Sequence, residues 1–521
     1  MTEAISQPAG EPLIALLADG GPSSPALIVP EDGQVLTHAQ LAGRIETLAR
    51  RLAGAGVRRG DRVALTLPNG PDFVLLLLAV TALGAAAAPL NPAYTQAEFA
   101  FFLADIAPRL FLMPASPLAA AAAAAAAAQT PVLAVRAAGD GPPELTAAGD
   151  SEPAAGRRPA AERSFEPGGA DDVAVILHTS GTTSRPKQVP LRQANLTASA
   201  RTIAAHYRLG ADDVSFCVMP LFHIHGLVAS ALAALSAGGA VIVSRRFTPH
   251  RFWRHAREQG ATWLSAGPTL HRMILDAADE AGPPDTLRFT RSCSSALSPA
   301  LLERAERSYR VPVLEAYGMT EASHQMSSNP LPPAARVPGS VGVPTGTEIA
   351  IAGENGSFLP DGSAGEVVIR GPGVMSGYVN NPEANAEAFA GGWFRTGDRG
   401  VLAGGYLTLH GRIKEMIIRG GENIAPAEIE QVLLAHPAVR DAACFGIADD
   451  KYGELVGAAV ALRQEAEEAE AAALIEHCRG QLAAFKVPVR IDVLPEIPRT
   501  PTGKLQRRRV AEVVAARRAG R

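Results

Sequence analysis

The nine residues from Thr179 to Lys187 read T-S-G-T-T-S-R-P-K and come shortly after the apolar run Val173–Leu177. The apolar run predicts a buried strand, so the loop opens at a strand end. Small side chains leave backbone N–H groups accessible and hydroxyls add donors, so such a loop can wrap the oxygens of a polyphosphate. Lys187 would add a point charge for phosphate. The candidate phosphate contacts are Thr179, Ser180, Gly181, Thr182, Thr183 and Lys187.

A solvated turn is the competing interpretation of this loop, because most clusters of Ser, Thr and Gly are ordinary turns. The Walker pattern G-x-x-x-x-G-K-[ST] is absent from the chain, so the loop is not of that class. The remaining motifs have to decide between a phosphate site and a turn.

Length and composition narrow the class of protein. A chain of 521 residues is too long for one ordinary core, so we expect two or more domains. The net charge of −4 does not favour a nucleic-acid binder. Four scattered cysteines without a C-x-x-C pair indicate neither a zinc site nor a disulfide framework. Residues 1–12 lack the pattern of a secretory signal, and we predict a cytoplasmic protein. Nothing in the sequence indicates an oligomeric state.

The most apolar segment, Phe73–Leu90, approaches the length of a membrane span. It is rich in Ala, contains Gly and Pro near its end, and stands alone. A buried helix that leads into a strand is therefore favoured over stable membrane insertion.

Short apolar runs alternate with helical patterns, which predicts an α/β architecture with largely parallel strands. A helix is expected at Leu36–Ala55, a surface helix at Ala119–Ala128 and a loop or linker over Gly139–Gly169. The predicted strands are Arg62–Leu67, Val173–Leu177, Val214–Met219, Ala240–Ser244, Thr262–Ala266 and Arg288–Cys293.

A smaller β-rich part, with strands at Glu366–Ile369 and Gly405–Leu409, precedes a compact α+β unit. We place the boundary near Arg412, which gives domains of residues 1–411 and 412–521. The elements predicted in the second domain are helices at Ala427–Leu434 and Glu468–Leu482 and strands at Ala442–Gly446 and Gly457–Leu462.

Four further motifs carry candidate chemistry. In Y-G-M-T-E, Tyr317 and Gly318 let a flat base lie against the backbone, Thr320 offers a hydroxyl to a phosphate, and Glu321 offers a carboxylate to Mg²⁺. In W-F-R-T-G-D, Asp398 can accept hydrogen bonds from both hydroxyls of a ribose. The alternative is that Asp398 only stabilises a turn. Two glycines in R-G-G-E-N-I would let the backbone approach a ligand closely. The motifs are Tyr317–Glu321, Trp393–Asp398, Gly411–Glu415 with Arg419–Ile424, and Pro498–Lys504.

These five motifs, in this order, resemble those of the adenylate-forming superfamily, which includes acyl-CoA synthetases, luciferases and peptide-synthetase adenylation domains. The resemblance covers nearly the whole chain. It implies a large N-terminal domain of α/β subdomains with a small β-barrel-like part, followed by a small mobile α+β domain. It also implies two half-reactions: a carboxylate attacks the α-phosphorus of Mg-ATP, and the thiol of coenzyme A then displaces AMP.

The resemblance also implies roles for individual residues. Lys504 reaches the α-phosphate and carboxylate during adenylation, with Lys187, Thr320 and Glu321 as the other catalytic groups. Lys414 lies at the hinge between the domains. ATP and AMP would further contact Ser295, Asp398 and Arg412. Coenzyme A would contact Gly420, Gly421 and Glu422. The expected ligands are ATP, Mg²⁺, coenzyme A and a small acid, with no nucleic acid.

Polar residues between the motifs suggest the acid. Fatty acids need apolar walls, whereas His223, His225, Ser294, Ser295 and His324 offer donors that suit a second carboxylate. We expect His223, Ser295 and His324 to bind it. Arg291 is a further candidate, and its structural alternative is an ion pair with a core carboxylate. For His225, a position in the core and a position in the acid pocket are equally favoured.

Several segments, above all E-A-S-H-Q-M-S-S-N-P (Glu321–Pro330), closely resemble the oxalate–CoA ligases of plants and fungi. Gln188 departs from the Gly that is usual in the superfamily. The remaining alternatives are a CoA ligase for malonate or a short- or medium-chain fatty acid, and a non-catalytic adenylate-binding protein. Because Lys504 and Glu321 are both present, the catalytic alternatives are favoured.

Overall fold

The structure is a computed structural model that describes residues 10–139, 141–147, 162–179, 186–277, 281–463, 470–500 and 504–519. Within these residues the strands form four sheets, and helices cover the two largest ones. The predicted α/β class is confirmed.

The first sheet carries the stems of the candidate phosphate loop. Among the described residues it has seven strands, parallel in the centre and antiparallel at both edges. Its last two strands form a hairpin around Thr179–Lys187, so the loop lies at a strand end as predicted. In spatial order the strands are Glu144–Ala147, Val132–Arg136, Leu110–Pro114, Arg62–Leu65, Ala86–Pro89, Val173–His178 and Gln188–Arg192.

The second sheet has nine strands in the described part of the chain, and six adjacent ones are mutually parallel. The carboxyl ends of parallel strands meet at one edge of a sheet, where ligands of α/β proteins bind. In spatial order the strands are Val343–Pro344, His324–Ser328, Val313–Met319, Phe289–Ser292, Trp263–Ala266, Val214–Cys217, Ala240–Val243, Pro25–Val29 and Gln34–Thr37.

Helices pack on both large sheets and close the main core. Pro71–Ala82 is buried nearly all round and leads into the strand Ala86–Pro89, as expected for the apolar segment. The run from Ile224 to Leu235 is also buried and contains a π-helical stretch at Leu227–Leu232. The remaining helices before residue 345 are Leu13–Asp19 (3₁₀), His38–Gly54, Gln96–Ile106, Ala119–Ala127, Gln193–His206, Pro249–Glu258, Pro268–Asp276, Pro299–Tyr309 and Thr320–Ala322 (3₁₀).

Two smaller sheets follow, each of five strands within the described residues. The third sheet is antiparallel throughout, with the short helices Pro382–Ala388 and Ile413–Glu415 (3₁₀) beside it. The fourth sheet is built on a long hairpin and packs against Pro426–Ala435, Ala471–Arg479 and Arg507–Ala519. The strands are Glu348–Ala352, Ala364–Arg370, Phe389–Ala390, Trp393–Ala403 and Tyr406–Arg412 in the third sheet, and Ile417–Arg419, Glu422–Ile424, Val439–Asp449, Gly453–Leu462 and Arg490–Val493 in the fourth.

Two local predictions need correction. The segment Gly139–Gly169 is not loop throughout, because Glu144–Ala147 pairs antiparallel with Val132–Arg136; residues 148–161 lie outside the described part. The predicted helix Glu468–Leu482 is shorter, spanning Ala471–Arg479, and Glu468 is not among the described residues. No helix in the described ranges is long and apolar enough to cross a membrane.

Candidate active site

The stems of the phosphate loop are tied to each other and to one carboxylate. The backbone N–H of Thr179 donates to the carbonyl of Lys187 (3.0 Å), and the N–H of Lys187 donates to Thr179 Oγ1 (3.3 Å). Asp105 lies 2.8 Å from His178 Nε2, and its Oδ2 accepts from the Gln188 side-chain amide at 2.8 Å. Gln188, the departure from the usual Gly, therefore anchors the loop. Ser180, Gly181, Thr182 and Thr183 lie outside the described residues.

The carboxylate predicted to hold Mg²⁺ is buried beside the loop. Glu321 is 7% exposed and accepts a hydrogen bond from the Tyr378 hydroxyl at 3.0 Å. The ammonium of Lys187 lies 4.2 Å from the centre of the Tyr378 ring, a cation–π contact. Tyr378 therefore links the predicted metal ligand to the predicted phosphate lysine, and no local sequence pattern pointed to it.

No group of three or more His, Cys, Asp and Glu side chains that suits a metal occurs in the described residues. A lone carboxylate nevertheless fits Mg²⁺ in a nucleotide site, because that ion is commonly held by one or two carboxylates plus substrate phosphates. The half-buried hydroxyl residue Thr320 precedes Glu321 in the same 3₁₀ turn. The residues present thus suit a Mg-nucleotide.

The nucleoside candidates form one cluster, in which Tyr317 and Asp398 are buried and the Arg412 side chain is half exposed. The Tyr317 hydroxyl donates to Asp398 Oδ2, and Arg412 Nε lies 2.9 Å from Asp398 Oδ1. Asp398 and Arg412 are cross-strand partners in the third sheet. Each carboxylate oxygen can accept two hydrogen bonds, so Asp398 keeps capacity for ribose hydroxyls.

Gly318 lets two segments of the site meet. A Cβ at this position would lie 2.3 Å from the carbonyl oxygen of His324, which a side chain cannot accommodate. His324 itself has a positive φ of 104°, a conformation that costs a non-glycine residue of order 1–3 kcal/mol. The close approach and the strained backbone together place the His324 ring beside Arg291.

Lys504, the candidate catalytic lysine, reaches this site from the C-terminal part of the chain. Its backbone N–H donates to Thr500 Oγ1 at 3.0 Å, and its carbonyl accepts from the Thr500 N–H at 2.8 Å. Burial, followed by the charge of Arg412, lowers the pKa of the Lys504 ammonium, whereas Glu321 opposes the shift. Lys504 therefore lies within electrostatic range of the predicted metal and ribose groups.

Arg291 is the centre of the candidate acyl pocket. It is fully buried, and no carboxylate pairs with it among the residues that the structure describes. Its guanidinium donates to neutral groups from three elements and from Tyr207, which directly follows a helix, and the alternative of a core ion pair is not observed in the described residues. These partners are Tyr207 Oη (2.9 Å), Gln325 Oε1 (3.1 Å), Ser265 Oγ (2.7 Å), His225 Nε2 (3.3 Å) and His324 Nδ1 (3.3 Å).

The histidines around Arg291 are neutral at physiological pH. Burial, and after it the charge of Arg291, lowers the pKa of both His225 and His324 well below the ordinary value. Burial and then the charge of Lys504 lower the pKa of His223 to about 3. The pocket therefore contains one permanent positive charge surrounded by uncharged imidazoles. A buried charge without a counter-ion is costly, and an anionic substrate would supply one.

The structure separates the two candidate serines. Ser294 Oγ lies 2.9 Å from His225 Nδ1, whereas Ser295 is exposed. His225 is both a core residue and part of the pocket, since it is fully buried and contacts Ser294 and Ser265. The serine that joins the buried network is thus Ser294, although the sequence favoured Ser295. Ser265 and Tyr207 also belong to the network, although neither lies in a motif that predicted a functional role.

The candidate coenzyme A and hinge residues lie further along the chain. Gly420 and Gly421 have φ values of 60° and 90° and form the tight turn between Ile417–Arg419 and Glu422–Ile424. Glu422 is exposed, as is Lys414 in the 3₁₀ turn that links the third and fourth sheets.

The family model described as "AMP-binding enzyme" matches residues 17–379, and the model "AMP-binding enzyme C-terminal domain" matches residues 428–504. The chain belongs to the AMP-binding enzyme family. The predicted membership of the adenylate-forming superfamily is confirmed.

Among its relatives, the oxalate–CoA ligase of Arabidopsis thaliana is 47% identical, over 92% of this chain and 93% of that protein. The oxalate–CoA ligase of Saccharomyces cerevisiae is 40% identical, over 94% of both chains. The sulfoacetate–CoA ligase of Cupriavidus necator is 39% identical, over 95% of this chain and 96% of that protein. The resemblance to oxalate–CoA ligases is confirmed. Because these relatives are named for different acids, their names do not decide which acid this chain uses.

A solved structure supports the architecture. ATP-bound MatB from Rhodopseudomonas palustris matches with a TM-score of 0.85 at 31% identity, over 97% of this chain and 99% of that one. The relatives and this structure support an enzyme of the acyl-CoA synthetase class that uses ATP.

Proposed function

We propose that this enzyme is an oxalate–CoA ligase, which converts oxalate, ATP and coenzyme A to oxalyl-CoA, AMP and diphosphate. The observation that carries the proposal is the buried charge of Arg291, which has no carboxylate partner among the described residues. Oxalate is two adjacent carboxylates without an apolar part. One carboxylate is activated while the other stays ionised and needs a positive environment, which the guanidinium and its neighbouring donors supply.

The predicted site residues then take the following roles. The loop hydroxyls and Lys187 hold the phosphates, and Glu321 with the phosphates holds Mg²⁺, which neutralises developing charge. Lys504 and Thr320 stabilise charge at the α-phosphate during adenylation. The nucleoside residues are Tyr317, Gly318, Ser295, Asp398 and Arg412. The substrate residues are His223, Ser295 and His324, with Arg291 supplying the buried positive charge behind them. The coenzyme A residues are Gly420, Gly421 and Glu422, and the hinge is Lys414 between domains 1–411 and 412–521.

Other acids and other functions fit less well. A short- or medium-chain fatty acid would place an alkyl chain against the polar side chains that surround Arg291, which is unfavourable. Malonate and sulfoacetate also end in an anionic group and remain the competing substrates. A non-catalytic adenylate-binding protein has no need of a lysine with a lowered pKa facing a buried metal carboxylate.

The test is pyrophosphate release from Mg-ATP with oxalate, malonate, sulfoacetate, acetate, hexanoate and octanoate, each with and without coenzyme A. The proposal predicts strong turnover with oxalate that depends on coenzyme A. Turnover with the monoacids and none with oxalate would overturn the assignment of the acid while leaving the class of reaction intact. No turnover with any acid would favour the non-catalytic alternative.

A further inference from the structure

The guanidinium of Arg291 has little capacity left for a direct contact with substrate. Its side chain is fully buried, and Nε together with Nη1 already donates to four neighbouring atoms. One of the two Nη2 protons faces His324 Nδ1. A guanidinium has five N–H donors, so at most one is free. The groups that touch the acid must therefore be its neighbours.

The hydrogen bonds of Ser265 determine the tautomer of His225. Arginine only donates, so Ser265 Oγ accepts from Arg291 at 2.7 Å. The hydroxyl proton of Ser265 is then available for His225 Nε2, which lies 2.6 Å away. A second Arg291 N–H also faces Nε2 at 3.3 Å, which excludes a proton on that nitrogen. The neutral imidazole therefore carries its proton on Nδ1.

This tautomer orients Ser294. The Nδ1–H of His225 donates to Ser294 Oγ at 2.9 Å. Having accepted this bond, the serine keeps its own O–H for another acceptor. Ser294 is half-buried, with a positive φ of 77°, and its neighbour Cys293 is within electrostatic range of Lys504. Ser294 therefore directly follows a residue that lies near the proposed site of adenylation.

The same reasoning applies to His324. Its Nδ1 faces an Arg291 N–H at 3.3 Å and accepts from it, so the neutral ring carries its proton on Nε2. The two imidazole rings lie 4.8 Å apart, centre to centre. One buried cation thus leaves two donors, the Ser294 hydroxyl and His324 Nε2–H, without a partner in the described residues.

We infer that Arg291 is a positioning residue that acts through Ser265 and His225. It fixes the tautomers so that the Ser294 hydroxyl and His324 Nε2–H donate to the non-reacting carboxylate of the acid. This inference rests on the proposed function for the identity of the acid, but the tautomers themselves do not depend on it. Ser294, rather than Ser295, becomes the serine that determines specificity.

The first experiment is nitrogen-15 NMR of histidine-labelled full-length enzyme, with His225 and His324 assigned through His225→Gln and His324→Gln variants. We expect a neutral Nδ1–H tautomer for His225 and a neutral Nε2–H tautomer for His324, both stable from pH 6 to pH 8. A proton on Nε2 of His225, or a rapidly exchanging mixture of tautomers, would refute the relay, by which we mean the action of Arg291 through Ser265 and His225. This outcome does not depend on the identity of the substrate. In Ser265→Ala, His225 should lose its single tautomer.

The second experiment measures kinetics with whichever acid the wild-type enzyme uses best. In Ser294→Ala, kcat/KM for a diacid should fall about tenfold to a hundredfold, the usual loss for one charge-assisted hydrogen bond, while the KM for ATP is unchanged. Ser265→Ala should show a smaller loss of the same kind. Ser215, a fully buried serine on the adjacent strand without a hydrogen-bond partner in the structure, provides the matched Ser→Ala control.

Failure of the inference is distinguishable from failure of the proposed function. A wild-type enzyme that uses only monoacids would refute the oxalate proposal, while the NMR result would still decide the relay. An enzyme that uses oxalate but tolerates Ser294→Ala within about twofold, less than one hydrogen bond contributes, would refute the relay alone.

Discussion

Replacing Arg291 with Met separates a functional charge from a structural one. Arg291 Nη2 lies 3.3 Å from His324 Nδ1, and the imidazole ring plus one further hydrogen bond would place a bound carboxylate oxygen about 8 Å from the guanidinium. Two unit charges at that distance interact by roughly 2 kcal/mol at an effective permittivity of about 20. The expected loss in kcat/KM for oxalate is therefore about thirtyfold, before any loss of tautomer control.

The free energy of unfolding of Arg291→Met should not fall, although its kcat/KM does. Arg291 is fully buried without a carboxylate partner in the described residues, so an apolar residue of similar length removes the cost of burying an unpaired charge. Tyr207 and Ser265 keep other hydrogen-bond partners, namely Ser328 and His225. The free energy of unfolding of Arg291→Met, measured in urea, should thus equal or exceed that of the wild type.

Arg288→Met is the matched control, because Arg288 precedes the same strand but pairs with the buried carboxylate of Asp213. Removing it leaves the buried Asp213 without its ion pair, so the control should lose stability, by about 1–3 kcal/mol because solvent screens the partly exposed Arg288 side chain. Its activity per folded molecule should be unchanged. An Arg291→Met variant that unfolds more easily, or that loses activity equally with oxalate and hexanoate, would show that Arg291 is structural and refute the reasoning.

Three other perturbations test separate parts of the molecule. Burial and then Arg412 lower the pKa of Lys504 from its ordinary value of 10.5, so the rate of pyrophosphate release without coenzyme A should fall as pH rises through a value below 10.5. Lys504→Arg, whose group stays charged, should lack that limb, and a limb at the same pH in both enzymes would assign it elsewhere. Asp105→Ala removes the carboxylate contacts to His178 and Gln188 at the two stems of the phosphate loop, while Gln188 keeps its hydrogen bond to the backbone carbonyl of residue 105. It should raise the KM for ATP about fivefold, the equivalent of one hydrogen bond; an equal rise in the KM for the acid would contradict a local effect. Burial raises the pKa of Glu315 to about 7, so the folded protein binds a proton that the unfolded chain, with a pKa near about 4.3, has lost. Wild-type stability should therefore fall as pH rises from about 4.5 to 7, by up to about 3 kcal/mol, since one pKa unit corresponds to about 1.4 kcal/mol; urea denaturation of Glu315→Gln should lack this fall, and an identical pH dependence would refute the assignment.

The candidate nucleotide motifs were readable because each is a short local pattern. The loop at Thr179–Lys187 follows a strand, Glu321 follows Tyr317 by four residues, and Lys504 follows Gly503 in sequence, whatever the rest of the chain does. The apolar segment Phe73–Leu90 was also readable, because a helix that is apolar all round has to be buried. The sequence showed that Gln188 departs from the usual Gly. It did not show that Gln188 bonds to Asp105, which lies in a helix about 80 residues earlier in sequence.

What the sequence by itself determined is the α/β class, the order of the motifs and the superfamily, because these depend on periodicity and on residues close together in the chain. Only the tertiary structure decided which polar side chains share a buried site. Arg291 comes from one strand, Ser265 from the next, His225 from a helix and His324 from an antiparallel strand. Whether such an arginine pairs with a carboxylate or stays unpaired depends on what every neighbouring element brings to the same volume. The local sequence around Arg291 carries no record of those neighbours, and so it could not choose between a core ion pair and a site for an anionic acid.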